Sequence, residues 1–126
     1  MKARIMSSAN ERLIAYKQQE NLAALTQIAD KLRIKLVIAE DDSADTPIGY
    51  FAGLDGFAKS EKSCESKYGI LVLAGLSDSK INSVLSEIKK AHLSIPLKAI
   101  LTPMNRSWSI KKLSAELAQE RERLGG

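Results

Sequence analysis

The residues best suited to chemistry fall in one short stretch, "LTPMNRSWSI", at 101–110. It holds the only tryptophan, Trp108, together with Thr102, Asn105, Arg106 and Ser107. A guanidinium can fork onto a carboxylate or phosphate, and hydroxyl and amide groups beside a helix start favour anions. The chemistry suggested is recognition of a small anion or a partner surface. A local explanation competes with it. Pro103 shapes a turn, Asn105 bonds to backbone, Ser107 or Ser109 caps a helix, and Trp108 staples the core edge. Asn105 and Arg106 are the residues this local account explains least.

A second loop, "EDDSAD" at 40–45, carries Asp41 and Asp42. Its carboxylates could serve as acid/base groups opposite Arg106, provided the two loops converge. The spacing matches no cation loop, and acidic runs are usually solvated.

Other chemistry-bearing residues suggest less. "GYFAGLDG" at 49–56 is neither a dinucleotide fingerprint nor a phosphate-binding loop, so Gly49 and Gly53 are expected to permit close packing of a short helix. Tyr50 and Phe51 could instead anchor a partner. The single His92 closes a helix, where it suits the dipole. The single Cys64 lies in a polar connector and is expected to be an exposed thiol. One Cys and one His do not make a structural zinc site. No metal or cofactor is expected. Lys89, Lys90, Lys111 and Lys112 would form one basic face only if their two helices shared a side of the sheet, and no aromatic stacking platform accompanies them.

The elements that must position these groups follow from hydrophobic periodicity. A chain of 126 residues, 44% hydrophobic and 27% charged, is of the size and composition of one globular domain. The net charge of +4 is spread along it, which permits a nucleic-acid or acidic partner without requiring one. The N-terminus lacks an apolar leader and no run is long enough to span a membrane, so a cytoplasmic location is expected.

Strands are expected at 3–6, 35–39, 69–75 and 97–101. The third, an apolar run between glycines, reads as buried on both faces. Leu22, Leu25, Ile28, Ala29 and Leu32 form one helical stripe. Ile81, Val84, Leu85 and Ile88 form another, opened by Ser77 and Asp78. The segment 11–21 reads as part of a longer, partly exposed first helix. Thr46–Pro47 reads as the start of a short helix, and 58–67 as an exposed, mobile connector. "LRIKLVIAEDD" at 32–42 and "LSIPLKAILTP" at 93–103 align at an offset of about 61. Two halves, about 1–57 and 68–126, therefore read as an internal repeat.

The expected fold is α/β: a four-stranded sheet from two strand–helix–strand–short helix halves in one domain, 1–126. The alternative is the ferredoxin-like split βαβ, in which the second and third strands are antiparallel neighbours.

The strand ending in Ala74-Gly75, the Ser77-Asp78 cap, "IPLKAILTP", and Asn105 and Trp108 ahead of a charged final helix resemble a bacterial family, domain of unknown function 3783. "PIGYFAGLDGF" looks like its glycine-rich motif between two halves. The resemblance supports these motifs and implies no reaction. The leading functional expectation is a non-enzymatic binding or regulatory module using the loops 40–48 and 102–109, through Thr102, Asn105, Arg106, Trp108, Asp41 and Asp42. The partner would be a protein or a small anion. The alternatives are a small enzyme on an anionic substrate, with Asp41 or Asp42 as acid/base and Arg106 as clamp, and an RNA-binding protein using the lysine faces.

Overall fold

The computed structural model describes residues 11–124. The strands are β1 (Arg12–Tyr16), β2 (Lys35–Ala39), β3 (Ile70–Ala74) and β4 (Lys98–Ile100). The helices are α1 (Leu22–Leu32), α2 (Ile48–Phe51), α3 (Asp78–Lys90) and α4 (Ile110–Arg123). The sheet order is β2-β1-β3-β4. β1 and β2 are parallel, β3 and β4 are parallel, and β1 meets β3 antiparallel. The molecule is thus two β-α-β units docked strand to strand. β1 separates β2 from β3, so the ferredoxin-like alternative, which makes those two neighbours, does not hold.

β3 is buried at all five positions and β1 at four, as central strands covered on both faces require. Leu13, Ala15, Leu71 and Leu73 point to one face, where Leu25 and Ile28 of α1 and Val84 and Ile88 of α3 cover them. Ile14, Tyr16, Ile70 and Val72 point to the other, beneath Ile48 and Phe51 of α2 and Ile110 and Leu113 of α4.

Both α1 and α3 are followed within two residues by one in the left-handed region, Arg33 at φ 59° and His92 at φ 57°. After α1, the Ile34 amide donates back to the Ala29 carbonyl; after α3, Leu93 donates to Ile88. These are Schellman closures without the usual glycine. His92 therefore works through its backbone, and its ring is exposed.

Several expectations change. The segment 11–21 is not a long helix: it holds β1, then a single 3₁₀ turn at Gln19–Asn21. "LIAY" is a short apolar run paired on both sides, and that pairing overrides its helical propensity. The strand expected at 3–6 lies outside the described residues. The second unit closes with the 14-residue α4 rather than a short helix. Thr46 does not cap α2; Pro47 occupies the N-cap, and the buried Thr46 hydroxyl accepts from the Ser60 amide at 3.0 Å.

The connector is tied down at several points. The Cys64 amide donates to the Asp42 carbonyl, the Ala44 amide donates to the Cys64 carbonyl, and Ser66 is buried. Cys64 is accordingly half-buried against the core rather than exposed. The sheet register also shifts the expected alignment. Leu36 faces α1 and α3 while Leu97 faces α2 and α4, so an offset of 61 pairs residues on opposite faces. Leu36 pairs with Leu13 of β1 and Lys98 with Leu71 of β3, so β2 and β4 take equivalent places at an offset of 62.

Candidate functional site

The turn after β4 is built around Asn105. Its Oδ1 accepts from the Thr102 amide at 2.9 Å, and its Nδ2 donates to the Ile100 carbonyl at 3.1 Å. Thr102 Oγ1 accepts in return from the Asn105 amide at 3.1 Å. Both polar ends of the Asn105 side chain are thus engaged in shaping the turn, as is the Thr102 hydroxyl. Ser109 then caps α4, its hydroxyl accepting from the Lys112 amide at 3.1 Å. Trp108 packs half-buried against the core, with Lys112 Nζ 4.7 Å from its ring centroid.

This turn also holds α2. A four-residue helix satisfies little of its own backbone. The Ile48 amide donates to the Trp108 carbonyl and the Gly49 amide to the Arg106 carbonyl, both at 2.8 Å. The Lys111 amide donates the other way, to the Ala44 carbonyl, at 3.0 Å. Lys111 follows Gly49 by 62 positions, and Arg106 follows Ala44 by 62, so these two bonds are reciprocal across the centre of the molecule. Pro47 and Ser109, the two N-cap positions, bridge each other there. Gly49 fits because its face meets the Phe57 ring: an added Cβ would lie 2.6 Å from it. Gly53 adopts φ +78°, over the Arg12 guanidinium, whose Nη1 donates to the Phe51 carbonyl.

The exposed side chains that the residues of this junction carry are here called the ledge. Met104 is 74% exposed and Tyr50 is 41% exposed. Arg106, Lys111 and Lys112 are exposed, and none of them forms an ion pair among the described residues. Phe51, by contrast, is buried and is core rather than anchor.

Asp41 does not join the ledge, and Asp42 lies beside the connector, where its carbonyl accepts from the Cys64 amide. Glu40 leaves the sheet at one end and Leu101 at the other, because β2 and β4 run in opposite directions. The loop backbones meet at 44–49, whereas Asp41 stays at the far end, where its carbonyl accepts from the Tyr16 hydroxyl at 2.6 Å. Its carboxylate accepts from Gln19 Nε2. The four lysines do not share a face either: Lys89 and Lys90 are on α3, Lys111 and Lys112 on α4, and these helices cover opposite sides of the sheet.

Sequence reasoning passed over Tyr16, the hub of the far end. Its hydroxyl donates to Asp41 and accepts from the Ser66 amide at 2.9 Å, while Ser66 Oγ and Ser114 Oγ are 2.8 Å apart. Burial raises the Tyr16 pKa above the usual phenol value, partly opposed by the bond from Ser66. Lys17 beside it is held up by its hydrogen bond to Glu65. A tyrosine closing the apolar run "LIAY" was the available signal. Beyond it opens a cleft of about 670 Å³, between the β1–α1 turn, the entries to β3 and β4, and the last turns of α4.

The described residues contain no cluster of three or more metal-ligating side chains, and no helix long and apolar enough to cross a membrane. Fold and site define an α/β domain of two β-α-β units whose second unit carries the turn. The family model for the "Domain of unknown function (DUF3783)" matches residues 69–124, from the entry to β3 through α4. The matched residues include the whole turn and exclude the glycine-rich stretch 47–57. No curated protein and no solved structure matches the chain.

Proposed function

We propose that the protein is a non-enzymatic, cytoplasmic binding module that docks an acidic partner segment on the ledge at Tyr50, Met104, Arg106 and Lys112. The observation that carries the reading is the exposure of three cations with no ion pair among the described residues, together with two exposed apolar side chains, on a backbone fixed by bonds from both units. Interfaces of this kind favour Tyr, Trp, Met and Arg, and opposite charge steers the encounter. Arg106 and Tyr50 make the contact, Trp108 stiffens the floor, and Thr102 and Asn105 set the shape. The reciprocal bonds at an offset of 62 support an origin by internal duplication, with the turn and loop 40–48 as its two counterpart connections.

A catalytic reading needs Asp41 or Asp42 opposite Arg106, and the ties of Asp41 to the Tyr16 end argue against it. The test is selection of a displayed random-peptide library on the full chain. Acidic peptides with an apolar residue should be enriched and should shift Trp108 emission. Arg106→Ala with Lys112→Ala should weaken them by about tenfold or more. Selected peptides without acidic bias, or equal binding by the double variant, would overturn the reading.

A further inference from the structure

We propose that the cleft at the Tyr16 end binds a zwitterionic small molecule, an amino acid or short peptide with an apolar side chain. Its volume of about 670 Å³ lies within the range of small-ligand sites. Tyr68, Pro96, Leu97 and Ala118 supply its apolar lining. Three cations line it, and their states differ. Lys17 is paired with Glu65, which leaves Lys67 and Arg121 without an ion pair among the described residues. Glu20, on the β1–α1 turn, is likewise unpaired. The unpaired cations and Glu20 come from different elements of the lining: Lys67 before the entry to β3, Arg121 on α4, and Glu20 in the 3₁₀ turn that precedes α1. Glu122, beside Arg121, adds a second acidic group at the mouth.

A simple anion meets opposing charge here, and a purely apolar ligand leaves four charged groups unanswered. A molecule with an ammonium at one end and a carboxylate at the other satisfies both signs of charge. The carboxylate goes to Lys67 and Arg121, where the guanidinium can fork onto it. The ammonium goes to Glu20, and the side chain lies on Tyr68 and Leu97. The amides of Gln18 and Asn21 hold that turn in place, since Asn21 Nδ2 donates to Gln18 Oε1 at 3.0 Å and to the Ser94 carbonyl at 3.2 Å. The site is separate from the ledge, at the opposite end of α4.

The test is titration of the ¹⁵N-labelled full chain with L-leucyl-L-leucine, its N-acetyl form and its C-terminal amide. The free dipeptide should give saturable shifts at Gln19–Asn21 and Lys67–Gly69, and blocking either terminus should weaken binding by about tenfold. Arg121→Ala should weaken the free dipeptide and leave the amide unchanged; Glu20→Gln should weaken the free dipeptide and leave the N-acetyl form unchanged. Both side chains are exposed, so folding is unaffected. Arg106→Ala should bind the dipeptide as the native chain does, which keeps this test independent of the ledge. Absence of saturable shifts, or equal binding of blocked and free forms, would overturn the proposal.

Discussion

The two β-α-β units use the same order of elements and finish differently. The second ends in a 14-residue helix with its own serine cap and basic residues, Arg121 and Arg123, in the last turn. The first ends in four residues, with no side-chain cap and its leading amides bonded to carbonyls of the other unit. α4 is stabilised largely from within, in keeping with its length, cap and dipole. α2 exists because the turn 102–109 accepts its amides. The unusual composition of that turn is therefore mostly a scaffold, and recognition falls to the side chains it leaves exposed.

The contrast can be broken most forcefully at Ile48 and Ile110, the first residues of α2 and α4, both fully buried. Alanine at either should cost about 2–5 kcal/mol in urea unfolding. Ile48→Ala should also abolish amide protection throughout α2, while Ile110→Ala leaves the later turns of α4 protected. Equal loss in both helices would erase the distinction.

Tyr16→Phe should cost about 1–3 kcal/mol, because the Ser66 amide and Asp41 carbonyl lose their partner. The phenol pKa is raised on folding, so the native state holds this proton more tightly than the unfolded chain. Stability contributed by Tyr16 is complete below about pH 10 and is lost as pH rises through the folded value. Melting temperature measured from pH 8 to 11 should fall in the native chain above pH 10, and less steeply in Tyr16→Phe.

Capping separates the units on a finer scale. Ser77→Ala and Ser109→Ala should each cost about 1 kcal/mol. Pro47→Ala should cost less than either, since the α2 start relies on carbonyls from across the molecule. Arg106→Ala should change stability by less than about 0.5 kcal/mol, because the carbonyl, not the guanidinium, supports α2. Thermal unfolding of the set gives the ranking directly.

Much of this fold is legible in the chain. The stripe from Leu22 to Leu32, the Ser77 cap and the "ILVLA" strand lie within a residue or two of where periodicity and capping put them. These signals are local. β1 was not legible as a strand because "RLIAY" is flanked by helix-favouring polar residues, and its conformation comes from pairing with β2 and β3. The half-burial of Cys64 depends on its bonds to Asp42 and Ala44, distant in sequence. The composition of 101–110 pointed to a turn of consequence, yet composition could not divide its labour. Asn105 was open to both a local and a recognition role, and the bonds to Thr102 and Ile100 engage its amide group in the turn. The separation of Asp41 from Arg106 was equally hidden, because it follows from the antiparallel docking of the units.

The measurement that bears most directly on the scaffold role of the turn is amide hydrogen exchange at Gly49 and Lys111 in Asn105→Ala. Gly49 donates to the turn; Lys111 donates to Ala44, in the other unit. Loosening the turn should speed exchange at Gly49 by about tenfold and leave Lys111 close to its native rate. Native-like protection at Gly49 in the variant would contradict the account.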